Sequence, residues 1–199
     1  MSNSVKLSDR PDFAVIGEII EPGSRVLDLG CGEGDLLAWL MINKKVQARG
    51  LEIEAAKVQK AITQGVSAYQ GDIESSLPDY PDGTFDYVIL SQTLQETRTP
   101  VPILKEMLRV GKRAIVSFPN FGHWSVRLSM LLSGRSPITK HFPYFWYDTP
   151  NVHFLSIQDF EDFCRRHEFP VARRYFLSGS TRITALPNVL GETAVFLLG

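Results

Sequence analysis

Cysteine is scarce in this chain of 199 residues, which contains two, Cys31 and Cys164. Two cysteines cannot build a multi-disulfide framework, and these two lie too far apart in sequence to form a zinc-binding motif. The four histidines are also scattered, so no metal site is predicted. Such low cysteine usage is typical of a reducing compartment, and we expect a cytoplasmic protein.

Strong charge and long hydrophobic stretches are lacking as well. The formal net charge of -1 argues against a surface dominated by binding to nucleic acid or to a membrane. The longest apolar run, Leu36–Ile42, is far shorter than the roughly 20 residues that cross a bilayer. Residues 1–13 lack the apolar core of a signal peptide. The length predicts a single domain over residues 1–199.

The most informative stretch is 25–40, RVLDLGCGEGDLLAWL. Its apolar run 26–29 predicts a buried strand of a parallel sheet, and the leucines that follow the glycines recur at helical spacing. A strand, a glycine turn and a helix N-terminus together present unpaired backbone N–H groups to a ligand. Glycine suits the turn because a Cβ would block both a positive φ and a close backbone approach.

The spacing of these glycines bears on the kind of ligand. A dinucleotide fingerprint would place its third glycine at position 35, where this chain has Asp35. The pattern Asp28-x-Gly30-x-Gly32-x-Gly34 instead resembles motif I of class I S-adenosylmethionine (SAM)-dependent methyltransferases. SAM carries a carboxylate that suits a helix N-terminus and an ammonium that suits an acid such as Asp28. A purely structural strand–helix turn also uses glycine, so further residues must support the interpretation.

Glu52 is the first supporting residue, because it ends the predicted second strand, Val46–Ile53, 22 residues after Gly30. In doubly wound nucleotide-binding folds an acid at this position accepts hydrogen bonds from both ribose hydroxyls. The alternative is a solvated charge at a strand end, beside a helix start where Glu54 would serve as well.

Asp72 is the second supporting residue, and it follows the predicted short strand Val66–Gln70 in the sequence Gly71-Asp72-Ile73. This resembles the methyltransferase motif in which the acid accepts from the adenine amino group and its apolar neighbour packs on the ring. A carboxylate fits because the exocyclic amine donates. The alternative is an ordinary Gly-Asp turn. Glu52, Asp72 and the glycine turn together are more specific than any one of them.

The remaining apolar runs complete the predicted sheet, with strands at Phe85–Leu90, Arg113–Phe118, Val171–Leu177 and Thr193–Leu198. The methyltransferase resemblance implies an α/β, Rossmann-like class I methyltransferase fold with helices on both faces. Its sheet is expected to be mostly parallel and seven-stranded, in the order 3-2-1-4-5-7-6. Ser91 follows the fourth strand, where methyltransferases place groups beside the sulfonium or the acceptor.

Residues 119–155 form the least regular part of the chain, with four prolines and the aromatic stretch Phe142–Tyr147. One helix is predicted within 120–134. We expect the segment to be an insert or lid over the carboxyl edge of the sheet. Three interpretations stay open: an acceptor pocket in which one of three histidines (His123, His141, His153) or two tyrosines (Tyr144, Tyr147) transfers a proton, a docking surface, or a cover for the core.

Three stretches extend the resemblance to a particular family. RPDFAVIGEIIEPGSRVLDLGCGEGDLL, SFPNFGHW and PYFWYDTPNVHFLSIQDFEDFC resemble MetW proteins of methionine biosynthesis, over roughly Arg10 to Gly179. The family resemblance implies a protein that binds SAM or S-adenosylhomocysteine (SAH) and supports homoserine O-acyltransferase in the acylation of homoserine. It attaches no firm methyl acceptor, and a fold by itself does not prove turnover.

Two other functions remain possible at this stage: a SAM-dependent methyltransferase acting on a small-molecule acceptor, and an NAD-dependent oxidoreductase, which Asp35 disfavours. No nucleophile–base pair is evident, so no catalytic residue is assigned. The predicted ligand-binding residues lie at the ends of the first four strands: Asp28, Gly30, Cys31, Gly32, Glu52, Ile53, Asp72, Ile73 and Ser91.

Overall fold

The computed structural model describes residues 10–139 and 142–199. The helices are α1 Pro11–Ile19, α2 Asp35–Lys44, α3 Ala55–Thr63, α4 Ile73–Ser76, α5 Pro100–Val110, α6 Trp124–Ser133, α7 Ile157–Arg166 and α8 Pro187–Leu190. The strands are β1 Arg25–Leu29, β2 Gln47–Glu52, β3 Ser67–Gln70, β4 Phe85–Ser91, β5 Gly111–Pro119, β6 Val171–Ser178, β7 Thr181–Arg182 and β8 Thr193–Leu198. Two short 3₁₀ turns, Leu77–Asp79 and Leu94–Glu96, complete the elements.

The strands form one mixed sheet in the order β3-β2-β1-β4-β5-β8-β6-β7. The pairs among β1–β5 are parallel, whereas β8 lies antiparallel to both β5 and β6. The predicted order of seven strands is confirmed. The predicted strand number is wrong by one, because the two-residue strand β7 pairs with β6 across a tight turn at Gly179, where φ is +53°. Two residues are too few to give a periodic pattern in the sequence.

Helices cover both faces of the sheet, which explains why its central strands are continuous apolar runs. One buried cluster joins α1, α2 and α3 to one face, with Ile16, Leu37 and Ala61 among its members. A second cluster joins α5 and α7 to the other face, with Leu104 and Phe160 at its centre. Every residue of β8 is buried.

The parallel strands place the predicted ligand-binding residues at a common edge. In the register, Asp28 of β1 lies beside Gly50 of β2 and Ile89 of β4, so the three strands end near one another. The backbone of Gly30 then donates to the Leu51 carbonyl at 2.8 Å, which holds the glycine turn against the end of β2. The segments after β1, β2, β3 and β4 thereby converge. No helix within the described ranges has the length and apolar character needed to span a membrane.

Candidate functional site

A cavity of about 700 Å³ opens at the carboxyl ends of β1–β4. Seven of its lining residues belong to the predicted set: Gly30, Gly32, Glu52, Ile53, Asp72, Ile73 and Ser91. Nine were not predicted: Arg10, Glu54, Lys57, Glu74, Gln92, Thr93, Glu96, Thr97 and Arg98. The sheet topology therefore brings most of the predicted residues to one cavity.

The glycine turn has the backbone geometry that its sequence requires. Gly30, Gly32 and Gly34 have φ values of +72°, +57° and +86°, a region that disfavours side chains. A Cβ at Gly30 would lie 2.8 Å from the Thr93 hydroxyl oxygen, so this glycine also permits close approach of the β4 segment. Gly34 is the N-cap of α2, and no side chain caps the helix.

Glu52 is buried at the end of β2, and its carboxylate binds the turn. One oxygen accepts from the Gly32 N–H at 2.9 Å, and the other accepts from the Glu54 N–H at 3.0 Å. Each carboxylate oxygen has capacity for a further hydrogen bond. The side chain therefore fixes the turn and still lines the cavity, with the exposed Ile53 beside it.

Asp72 lies at the end of β3, where it is the N-cap of the short helix α4. Its Oδ1 accepts from the Glu74 and Ser75 N–H groups at 2.9 and 3.2 Å. The carboxylate and the neighbouring Ile73 line the cavity on the side opposite Ser91 in the strand order. Asp72 therefore caps α4 and also presents a hydrogen-bond acceptor to the cavity.

Asp28 and Cys31 lie behind the turn and are absent from the cavity lining. Asp28 is 3% exposed, and within the described chain its Oδ1 has no hydrogen-bond partner. Burial raises the pKa of Asp28 to about 8, although the Arg10 charge opposes this shift. Burial also raises the pKa of the Cys31 thiol to about 12, with Asp28 adding to the effect. The thiol is therefore uncharged near neutral pH and unsuited to act as a nucleophile.

Ser91 belongs to a buried polar network that the sequence did not reveal. Its hydroxyl donates to Oδ2 of Asp12 at 2.7 Å and accepts from Nη2 of Arg10 at 2.8 Å. The Ser117 hydroxyl donates to the same Asp12 oxygen at 2.9 Å. This network attaches the start of α1 to the ends of β4 and β5. Asp12, Ser91 and Ser117 are 26 to 105 positions apart in sequence, so no local motif joins these three residues.

Arg10 is the cation that this network holds at the cavity. Its Nε and Nη2 donate to the two oxygens of Asp12, both at 3.1 Å. The side chain remains 42% exposed, and among the described residues no acceptor is bonded to its Nη1. The guanidinium is therefore oriented on one edge and available to a ligand on the other.

The charges around the cavity are predominantly acidic. The acids are Glu52, Glu54, Asp72, Glu74 and Glu96, and the cations are Arg10, Lys57 and Arg98. Lys57 is paired with Glu54 at 2.7 Å. Desolvation raises the pKa of Glu96, with Lys57 opposing the shift and Glu52 and Glu54 reinforcing it. A ligand with both a cationic group and an anionic group suits this distribution better than a polyanion.

The described residues considered for proton transfer do not form a catalytic group at this cavity, whose lining includes no described residue of 119–155. His123 caps α6, with its Nδ1 2.7 Å from the Ser125 hydroxyl oxygen. His153 lines a separate apolar groove beside Leu94 and Phe160. Tyr144 and Tyr147 are exposed, and His141 falls outside the described residues. The role of residues 119–155 as a lid stays a prediction.

Comparison with solved structures identifies the class of fold. A SAM-dependent methyltransferase from Thermotoga maritima has a TM-score of 0.67 and 19% identity, over 94% of this chain and 87% of that chain. Another from Archaeoglobus fulgidus has a TM-score of 0.68 and 13% identity, over 96% and 92%. The chain therefore has the Rossmann-like class I methyltransferase fold, as the glycine turn and the strand order predicted.

Comparison of sequences identifies the family. The family model described as methionine biosynthesis protein MetW matches residues 10–198. The bifunctional methionine biosynthesis protein MetXA/MetW of Rhodopirellula baltica is 40% identical over 160 residues, which are 76% of this chain and 26% of that protein. The chain spans about a quarter of the length of this relative. It belongs to the MetW family, which confirms the resemblance of its motifs.

Proposed function

We propose that the cavity binds SAM or SAH. The observation that carries this proposal is the convergence of the glycine turn, Glu52 and Asp72 on one cavity from three adjacent strands. Under this proposal the adenine contacts Asp72 and Ile73, the ribose contacts Glu52, and the amino-acid end lies at the turn, an arrangement that the strand order supports. Carboxylates suit the first two positions because ribose hydroxyls and an exocyclic amine donate hydrogen bonds.

Arg10 supports this orientation from the opposite end of the cavity. Neighbouring strands lie about 4.8 Å apart, so the distance from the end of β3 to the end of β4 is roughly 14 Å, which suits an extended ligand. A ligand carboxylate among five acidic side chains needs a cation, and Arg10 is held at the β4 end with Nη1 available. Guanidinium groups bind carboxylates with strong charge-assisted hydrogen bonds. Asp28 does not line the cavity, and its raised pKa of about 8 keeps it protonated near neutral pH, so we assign it no direct contact with the ligand ammonium.

The charge distribution also disfavours a dinucleotide. The pyrophosphate of NAD would lie near Glu52, Glu54 and Glu96, and like charges at short range repel. The turn lacks the third fingerprint glycine, because Asp35 begins α2 and accepts from the Gln64 side chain at 2.9 Å.

Calorimetric titration of the purified chain with SAM, SAH and NAD tests the binding proposal. We expect saturable binding of SAM or SAH with one ligand per chain, and no measurable heat from NAD. Binding of NAD without binding of SAM or SAH would overturn the proposal.

We further propose that the chain supports a homoserine O-acyltransferase in methionine biosynthesis. Family membership supports a role in this pathway, and the relative from Rhodopirellula baltica is named as a bifunctional MetXA/MetW protein. Binding of the adenosyl ligand would be regulatory if it changed the affinity or the activity of the acyltransferase.

Sizing chromatography and an acylation assay test this second proposal. The purified chain and the homoserine O-acyltransferase of the same organism should co-elute, and the acylation rate should change when the chain is added. Separate elution together with an unchanged rate would refute the partnership, whereas the binding proposal would stand or fall on the titration.

A further inference from the structure

Helix α6 presents its apolar side to solvent instead of to the core. Trp124, Leu128, Leu131 and Leu132 recur at the spacing of one helical stripe, which in most surface helices packs inward. Here Leu131 and Leu132 are 81% and 77% exposed, and Val126 is the buried residue of the helix. The stripe is therefore a helix face without a partner among the described residues.

A group of exposed aromatic side chains follows α6. Tyr144, Phe145, Trp146 and Tyr147 are all exposed, with Trp146 at 75%. Three of these rings pack on one another: Phe145 stacks on Tyr147 at 5.5 Å between centroids, and Trp146 meets Tyr147 edge-on at 5.6 Å. These residues do not cover the core, so the interpretation of the segment as a core cover does not hold for them.

The residues that follow the C-terminal end of α6 adjoin the aromatic group. Ser136 and Pro137, which follow the end of α6 at Gly134, share a small depression with Tyr144, Phe145 and Trp146. We call Trp124, Leu128, Leu131, Leu132 and 144–147 together the apolar surface. Extensive exposed apolar surface is unusual in a soluble monomer and marks interaction sites, and tryptophan and tyrosine are enriched among the residues that dominate interfaces.

We infer that the apolar surface is the docking site for the homoserine O-acyltransferase, an inference that rests on the partnership proposed above. The relative from Rhodopirellula baltica is named as a bifunctional MetXA/MetW protein. Its match is continuous over 76% of this chain and leaves less than a quarter of this chain unmatched. Fewer than about 50 residues can therefore lie outside the match at either end of the chain. Residues 50–149 are inside the match in every case, and they include the whole apolar surface. No residue of the apolar surface lines the cavity, so the proposed docking site and the proposed ligand site share no residue.

Substitutions in the apolar surface separate docking from folding. In Leu131→Ser/Leu132→Ser and in Trp146→Ala, the affinity for the purified acyltransferase should fall by about thirtyfold or more, the loss expected when interface anchors are removed. Ile42→Ser is the matched control, because Ile42 is 70% exposed and lies on α2, outside the apolar surface. Its affinity for the acyltransferase should equal that of the unsubstituted chain. All three variants should melt and bind SAH as the unsubstituted chain does, since exposed side chains contribute little to stability.

The measurements are biolayer interferometry with the immobilised acyltransferase, calorimetry with SAH, and sedimentation equilibrium of the chain alone. Loss of partner affinity in the surface variants but not in Ile42→Ser supports the inference. Equal partner affinity in all variants overturns it while leaving the partnership intact. Self-association of the chain that the same substitutions abolish, with unchanged affinity for the acyltransferase, also overturns it by assigning the surface to a second copy. Absence of binding by the unsubstituted chain overturns the inference together with the partnership, while SAH binding is judged separately.

Discussion

At the scale of single residues, Glu52 connects the glycine turn to the cavity. Its carboxylate accepts from the Gly32 and Glu54 N–H groups and lines the cavity. We expect Glu52→Gln to weaken SAH binding by about ten- to hundredfold, because a hydrogen bond to a charged group contributes roughly 1.5–3 kcal/mol. Calorimetry measures the change, with Glu161→Gln on α7 as the control. An unchanged affinity would refute the ribose assignment.

Arg10 is expected to act on one part of the ligand. Arg10→Ala should lower the affinity for SAH at least about tenfold, because it removes the cation proposed to bind the ligand carboxylate. The affinity for 5′-methylthioadenosine, which lacks the amino-acid end, should not change. Arg10→Lys should restore little of the SAH affinity. A lysine ammonium cannot replace the planar guanidinium, which binds Asp12 on one edge and a ligand on the other. Equal losses for both ligands would show that Arg10 instead maintains the shape of the site.

Asp28 should impose a pH dependence on stability. Burial raises its pKa from an ordinary value of 3.8 to about 8, so the folded chain keeps a proton that the unfolded chain releases. The stability that this residue contributes is therefore complete below about pH 4 and is lost as the pH rises to about 8. Asp28→Asn removes the titration, and its free energy of unfolding should fall less between about pH 5 and about pH 8. Urea unfolding at both pH values measures this, and parallel losses in the two proteins would contradict the assignment.

Some residues of the candidate site were predictable from the sequence, and others were not. Glu52 and Asp72 were predictable because each follows an apolar strand at a spacing that a known motif explains. Arg10, Asp12 and Ser117 were not, because their network depends on three distant segments meeting at one sheet edge. Asp28 was predicted from its place in the motif, but whether its carboxylate reaches the cavity depends on packing that the motif does not encode.

At the scale of elements, the turn between β1 and α2 is held by contact with α3. A Cβ at Gly34 would lie 2.8 Å from the Ala61 Cβ and 3.1 Å from the Ala61 Cα. The residue also has a φ of +86°. Gly34 therefore combines a conformational requirement with a packing requirement.

This combination predicts the stability of two glycine variants. Gly34→Ala should destabilise the chain by roughly 2–5 kcal/mol, because a left-handed residue costs about 1–2 kcal/mol and overpacking adds about 1–3 kcal/mol. Gly65→Ala has nearly the same φ, +85°, but no atom within 4 Å of the new Cβ, so we expect about 1–2 kcal/mol. Urea unfolding compares the two. Equal losses in the free energy of unfolding would mean that α3 shifts to accommodate the added methyl group without cost.

The length of each element determined how well the sequence predicted it. The predicted strand Thr193–Leu198 matches the structure residue for residue, since it is a clear apolar run. The short elements α4, β7 and α8 were missed because two to four residues carry no period. A helix within 120–134 was predicted, but the spacing of its apolar residues describes equally a helix that faces the core and a helix that faces a partner.

At the scale of the whole molecule, the chain separates two surfaces. The cavity is built by strand ends from the first half of the sequence, and the apolar surface is built by α6 and the aromatic group that follows it. The 3₁₀ turn Leu94–Glu96 lies between the cavity and the segment before α7, where the Gln95 carbonyl accepts from the Val152 and His153 N–H groups. A single short turn thus adjoins the cavity, which Glu96 lines, and also contacts the segment that follows the apolar surface.

The crystal structure of the chain with SAH is the measurement that tests this account most directly. We expect the adenine amine within hydrogen-bond distance of Asp72, the ribose hydroxyls on Glu52, and the ligand carboxylate on Arg10. Density for SAH outside the cavity, or with its adenine at the β4 end, would contradict the account.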